Sequence, residues 1–157
     1  MRIGLDIDDV IADFIGAYCA RYALNRPTDW IFDPHFAERY ADICRDRVFW
    51  QMLTVLDRPA FTPYCYITAR GCPESWTLEW LHDNGLPYAP VYYVGLGGTK
   101  VDIARELQLD LFVDDCIANF VDLTRAGVRC MLYTSTHNEG FDVGGQRIHN
   151  LSEIVDR

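Results

Sequence analysis

Several things are missing from this sequence, and each absence removes a class of protein. No apolar run approaches the ~18 residues a membrane span requires. The residues after Met1 lack the basic n-region, the apolar h-region and the cleavage site of a signal peptide. The expectation is therefore a cytoplasmic protein that does not engage a membrane. The six cysteines (Cys19, Cys44, Cys65, Cys72, Cys116, Cys130) contain no CxxC pair, and no histidines lie at zinc-finger spacing. Zinc and dithiol redox motifs are thus unsupported, and reduced, mostly buried thiols are expected. Positive charge is scarce, with 14 lysines and arginines against 23 aspartates and glutamates and a formal net charge of -9. Extended nucleic acid needs a basic face to neutralise its phosphates, so it is not an expected partner. A small anionic substrate is compatible with this balance if a cation accompanies it. Repeats and low-complexity tracts are absent as well.

What remains is a globular composition, 50% hydrophobic and 24% charged over 157 residues. A chain of this length buries roughly two-thirds of its unfolded surface. Short apolar runs at Arg2 to Asp6, Tyr64 to Thr68, Val91 to Val94, Leu111 to Asp114 and Arg129 to Tyr133 read as five strands. Helical patterns lie between them. Glu74 to Asn84 carries Trp76, Leu78, Trp80 and Leu81 at near-helical spacing and stops at Gly85; Thr99 and Asp102 form an N-cap signal for a helix to Leu107; Ile117 to Ala126 stops at Gly127. Strands alternating with helices imply an α/β fold, a doubly wound, Rossmann-like parallel sheet of five strands.

One interval breaks the rhythm. The stretch between Asp8 and Thr68 is too long for one helix and two loops. Its part from about Asp13 to Leu56 is helix-compatible, punctuated by Pro27 and Pro34, and rich in rings: Phe14, Tyr18, Tyr22, Trp30, Phe32, Phe36, Tyr40, Phe49 and Trp50. A helical cap at residues 13–56, inserted within a single domain of residues 1–157, is the economical reading. The alternative is a helical excursion that only completes the core.

The chemistry-bearing residues fall where strands end. Asp6, Asp8 and Asp9 follow the first strand, and Asp114 and Asp115 end the fourth. In an open parallel sheet, ligands bind outside the carboxyl ends of the strands. Two unit charges 4 Å apart repel by roughly 4 kcal/mol at an effective dielectric near 20, so gathering these carboxylates calls for a cation. Oxygen ligands without histidine or cysteine favour Mg²⁺. Thr68 and Lys100 fall at equivalent places and supply a hydroxyl and a fixed positive charge for phosphoryl oxygens. Lys100 follows GLGGT, yet GxxxxGK[ST] is not matched, so a P-loop is not indicated.

The order Asp-x-Asp, Thr, Lys, Asp-Asp resembles the four motifs of the haloacid dehalogenase-like phosphatase superfamily. DIDDVIADF at Asp6 to Phe14, ITARG at Ile67 to Gly71 with the following TLEWL, FVDDCIANF, and the later AGV and HN are most similar to the cytosolic-type 5'(3')-deoxyribonucleotidase branch. The resemblance implies Asp6 as nucleophile and Asp8 as general acid/base, with the Asp8 backbone carbonyl, Asp6 and Asp114 on Mg²⁺, and Asp115 as a further ligand or partner. It implies a small phosphorylated substrate of the nucleoside monophosphate class, with a phosphatase or phosphotransferase acting on another small phosphomonoester such as a sugar phosphate as the alternative. Asp9 stands where that branch often has glycine. Phe14 and Trp50 are candidates for a wall stacking on a base, with core packing as the alternative for Phe14. Arg70 either reaches a phosphate or braces its loop. His35, His82, His137 and His149 have no ligand spacing, and surface or core placement is expected for them. Asn119 is expected to tie its loop to the neighbouring turn. Receiver domains share the residue types, but there the acidic pair comes first, whereas here it comes last.

Overall fold

The computed structural model describes residues 1–30, 33–95 and 98–154. Phe32 of the expected cap, Leu96 and Gly97 of the GLGGT loop, and the last three residues of the expected domain lie outside the described residues.

The chain begins with β1 (Ile3–Leu5) and runs through α1 (Phe14–Tyr22), α2 (Phe36–Ile43) and α3 (Arg47–Gln51) before returning as β2 (Cys65–Thr68). Then α4 (Glu74–Asp83), β3 (Val91–Tyr93), α5 (Lys100–Glu106), β4 (Leu111–Asp114), α6 (Ile117–Arg125) and β5 (Cys130–Tyr133) alternate. A short β6 (Arg147–Ile148) follows. The sheet has six strands in the order β3-β2-β1-β4-β5-β6, and every pairing is parallel. The α/β, Rossmann-like reading therefore stands, and the count of five is corrected to six. The sixth strand escapes a sequence reading because it is two residues long and carries no apolar alternation. Only pairing with β5, Leu132↔Arg147 and Tyr133↔Ile148, makes it a strand.

Local chemistry explains the helix ends. Thr99 Oγ1 accepts from the Asp102 N–H at 3.3 Å and starts α5. Gly85 (φ 63°) and Gly127 (φ 81°) stop α4 and α6 in the left-handed region, which costs a residue without a side chain nothing.

The period of two along the strands divides the core between the two faces of the sheet. Cys65, Ile67, Phe112, Cys130 and Leu132 pack with Ala104 of α5 and with Phe120 and Leu123 of α6. Leu5, Tyr66, Leu111 and Val113 point the other way, against α1, α3 and α4. The long interval between β1 and β2 leaves and rejoins the sheet through a hydrogen-bonded stem. Asp13 N–H donates to Thr54 O at 3.0 Å, Leu56 N–H donates to Ile11 O at 2.6 Å, and Ala12 bridges Val55 antiparallel. Its helices are not a separate body of apolar residues, since Phe14, Tyr18, Ile43, Phe49 and Trp50 join the same cluster as Leu5 and Val113.

Among the described residues, no helix is long and apolar enough to cross a membrane.

Candidate functional site

The strand order explains why the carboxylates meet. From β1 the chain moves outward to β2 and β3 on one side, then crosses to β4, β5 and β6 on the other, so the order reverses between β1 and β4. Leu5 pairs with Val113 at that junction, and Asp6 N–H donates to Val113 O at 3.0 Å. One step further along each strand, Asp6 and Asp114 lie side by side at the crevice where ligands of such sheets bind.

Asp6, Asp114 and Asp115 are all buried, and each offers an oxygen within 4.8 Å of the others. Lys100, at the start of α5, places Nζ 2.8 Å from Asp6 Oδ2 and 2.8 Å from Asp114 Oδ2. Backbone and amide donors add to this: Ile7 N–H to Asp6 Oδ1 at 2.7 Å, Cys116 N–H to Asp114 Oδ1 at 2.8 Å, and Asn119 Nδ2 to Asp114 Oδ2 at 3.1 Å. Asn119 thus does tie its helix to the preceding turn, by way of the carboxylate itself.

Three carboxylates face one ammonium. Burial pushes Asp6 well above the usual aspartate range; Lys100 opposes the rise, while Asp114 and Asp115 add to it. Burial also raises Asp115, against the pull of His137 and with a push from Asp114. Burial works against the Lys100 charge, but Asp114 and Asp6 outweigh it and raise its pKa. Buried negative charge in excess of its local counter-charge is what a bound cation would relieve.

Thr68 closes β2 on the other flank of β1 and is 1% exposed. Its Oγ1 accepts the Arg70 N–H at 3.2 Å, and a hydroxyl that accepts through one lone pair still has a proton to donate. Asp8 stands apart from the three clustered carboxylates. Its own carboxylate is taken by Arg70, with Nη2 2.8 Å from Oδ1 and Nε 3.0 Å from Oδ2. Asp9 adopts φ 63°, and its carboxylate accepts the Ile15 N–H at 2.9 Å. Burial, followed by the Asp115 charge, raises its pKa. An aspartate here thus tolerates the left-handed backbone that the turn requires.

Trp50 and Arg70 are both closed in, and for Trp50 that corrects the expectation of a wall open to a base. Trp50 has no exposed surface. One side stacks on Phe14 at 5.7 Å between centroids, Arg70 Cζ sits 4.8 Å from the ring centroid, and Nε1 donates to Ile43 O at 2.9 Å. No face of this ring is open to a base. Arg70 does not point at open space either, because its side chain is fully buried on Asp8. Of the two readings of Arg70, the structure supports the bracing one. Phe14 lies in the same aromatic group, against Tyr18, Tyr40 and Phe49, and is 8% exposed.

His137 is the site residue that sequence reasoning passed over. It is buried, Nε2 lies 2.7 Å from Asp115 Oδ2, and Nδ1 has no hydrogen-bond partner among the described residues. Asn138 beside it donates to Asp115 O at 2.8 Å and to Tyr133 O at 2.7 Å, so the loop after β5 is fastened to the turn after β4. The HN dipeptide after the fifth strand was the available signal, but nothing in spacing alone joins it to Asp115.

A cavity of about 750 Å³ lies between α4 and β3 and is lined by Leu78, Leu81, Leu86, Pro87, Tyr88 and Val91 among others. It contains none of the clustered carboxylates. A smaller one of about 230 Å³ reaches Lys100 and Asn119, and chemistry rather than size makes that end of the sheet the candidate site.

No protein-family model matches the chain. A nucleotidase of Clostridium acetobutylicum is 32% identical over 85 residues, which are 52% of this chain and 44% of the relative. The chain thus spans under half the length of that curated relative. The crystal structure of a hydrolase from Streptococcus pneumoniae TIGR4 aligns with a TM-score of 0.49 at 12% identity, covering 85% of this chain and 92% of that one. A likeness at that level carries no argument about activity.

Proposed function

We propose that this chain is a Mg²⁺-dependent phosphomonoester hydrolase acting through an aspartyl-phosphate, with nucleoside monophosphates as substrates. The observation that carries the proposal is the meeting of Asp6, Asp114 and Asp115 with Lys100 at the point where the strand order reverses.

In this reading Asp6 attacks phosphorus in line while Asp8 gives a proton to the departing oxygen. Asp8 then takes a proton from the water that hydrolyses the aspartyl-phosphate. Thr68 and Lys100 hold phosphoryl oxygens, the hydroxyl by donation and the ammonium by charge. The donor set fits Mg²⁺, because the three clustered groups are all carboxylates, with no imidazole nitrogen or thiolate in the group. Asp6, Asp114 and Asp115 would hold the ion, with the Asp8 carbonyl as the family resemblance implies. Once bound, it would offset the charge that the carboxylates and the phosphate bring together.

The whole chain is read as one haloacid dehalogenase-like domain, with residues 13–56 as a cap that selects the substrate. What supports a nucleoside monophosphate is the branch resemblance, the name of the Clostridium relative and the aromatic character of the insertion. Trp50 is closed off, so a stacking role at the edge of the site would fall to Phe14. The net charge of -9 supports a small phosphorylated substrate rather than extended nucleic acid.

The test is phosphate release by purified protein with Mg²⁺ from a panel of phosphomonoesters. Nucleoside monophosphates are expected to be the fastest. A sugar phosphate outrunning every nucleotide would remove the nucleotidase reading, and no release from any monoester would remove the phosphatase reading.

A further inference from the structure

The Asp8–Arg70 pair is built more elaborately than an ordinary loop brace. The Arg70 side chain is 0% exposed, whereas Asp8 keeps 22%. Arg70 Nε and Nη2 donate to Asp8 Oδ1 at 3.2 and 2.8 Å, Nε also reaches Oδ2 at 3.0 Å, and Nη1 donates to Thr77 Oγ1 at 3.4 Å. The guanidinium carbon sits 4.8 Å from the Trp50 ring centroid and 5.7 Å from that of Trp80. Both rings are fixed in turn, Trp50 by its bond to Ile43 O and Trp80 by a bond to Leu53 O, each 2.9 Å. The Arg70 backbone N–H is held by Thr68 Oγ1.

A guanidinium confined in this way has little choice of orientation, and a fork that engages both oxygens of a carboxylate sets the plane of that carboxylate. A carboxylate has about four lone-pair positions, so three N–H contacts leave one edge of Asp8 for another partner. The residual exposure belongs to Asp8 and not to Arg70. A phosphate could reach this guanidinium only by displacing Asp8.

We infer that Arg70 is a positioning residue, holding Asp8 at the angle from which a proton passes to the leaving oxygen, and that Trp50 links the seating of the inserted helices to that angle. The inference rests on the phosphatase reading and goes beyond it. It gives the buried Trp50 a task that stacking on a base cannot, and it makes the insertion part of the proton-transfer apparatus rather than only a selector of substrate.

Two variants and two esters test it. Arg70→Lys keeps the charge but loses the fork, and Trp50→Leu keeps Arg70 but removes one wall of its box. Phenyl phosphate and p-nitrophenyl phosphate are alike in size, but the phenolate of the first is the more basic and needs the proton more. With Mg²⁺, and with circular dichroism to establish folding, kcat/KM, which reports the step in which the ester oxygen departs, is expected to fall on phenyl phosphate about tenfold or more beyond any fall on p-nitrophenyl phosphate. Asp8→Asn should show the same split. Equal losses on the two esters in folded Arg70→Lys, or no loss on either, while Asp8→Asn shows the split, overturn the positioning role and leave the phosphatase reading standing. If Arg70→Lys does not fold, the same comparison in Trp50→Leu decides. Full activity in Asp6→Asn overturns the aspartyl-phosphate mechanism, and this inference with it, whereas no release from any monoester by the unaltered protein removes the phosphatase reading.

Discussion

Lys100 and Arg70 are both buried cations beside carboxylates, and they are held in opposite ways. Lys100 is a single point charge shared between Asp6 and Asp114, in a group where carboxylates outnumber it. Arg70 is a planar fork on one carboxylate, boxed by two indoles. The first arrangement leaves negative charge in excess, and repulsion from Asp114 adds to the burial that raises Asp6 and Asp115. The second is balanced one to one. An unbalanced cluster suits groups that must receive a metal and a phosphate, and a balanced, sterically closed pair suits a group that must keep its orientation while protons come and go.

The largest effect expected from breaking the unbalanced side is at Asp6. Asp6→Asn should lower kcat by about a thousandfold or more while circular dichroism stays native, because the nucleophile goes without a change of volume. Hydrolysis near the wild-type rate in a folded Asp6→Asn would argue against the covalent route.

Metal removal comes next. Chelation should reduce turnover by about a hundredfold or more, since several kcal/mol of charge stabilisation would be lost. Ca²⁺ should restore far less than Mg²⁺, because its larger and looser shell does not hold an octahedral geometry. Phosphate release with each ion after exhaustive chelation measures both.

The two cations should also part company in stability. Lys100→Ala strands two carboxylates and Arg70→Ala one, at about 3–5 kcal/mol where the remaining charge is buried. Mg²⁺ should recover part of the loss in Lys100→Ala, where it takes over the counter-charge, and little in Arg70→Ala. Denaturant unfolding with and without the ion reads the difference, and equal recovery in both variants would erase the contrast drawn here.

The raised values of Asp6 and Asp115 set a smaller, pH-dependent effect. The folded protein keeps these protons to higher pH than the unfolded chain does. Between the unfolded value, about 4, and the raised folded values, the native state therefore binds more protons, and stability falls as pH rises. In metal-free protein the melting temperature should decline across that window, and added Mg²⁺ should flatten the decline. A metal-free stability that climbs through the same window would contradict the sign.

The smallest effect is expected at an ion pair that shares the distances but not the burial. Arg21 and Asp46 meet at 2.6 Å with 35% of each side chain exposed. Arg21→Ala should cost under about 1 kcal/mol in denaturant unfolding and leave turnover unchanged.

Much of the frame was legible along the chain. Alternation located β1 to β5 to within a residue or two, and Gly85, Gly127 and Thr99 marked the helix ends, because strand pleat and helix caps are local properties. The two-residue β6 was not legible, since its status as a strand depends on hydrogen bonds from β5. The same division runs through the candidate site. Asp6, Lys100, Asp114 and Asp115 stood out because each ends a strand or starts a helix at the carboxyl edge of the sheet. His137 did not, because its partner Asp115 is 22 residues away along the chain and only a folded loop joins them.

By itself, then, the sequence determined the α/β alternation, the carboxylates at strand ends, and an aromatic insertion between the first two strands. Periodicity, capping and residue type act over a few neighbouring residues, so they can be read in one dimension. Only the tertiary structure decided that Trp50 turns inward, that Arg70 closes on Asp8, and that Asp9 bends the chain through φ 63°. An indole, a guanidinium and a carboxylate have several partners open to them in an unfolded chain. Which partner each takes depends on which other side chains compete for the same buried volume, and packing alone settles that.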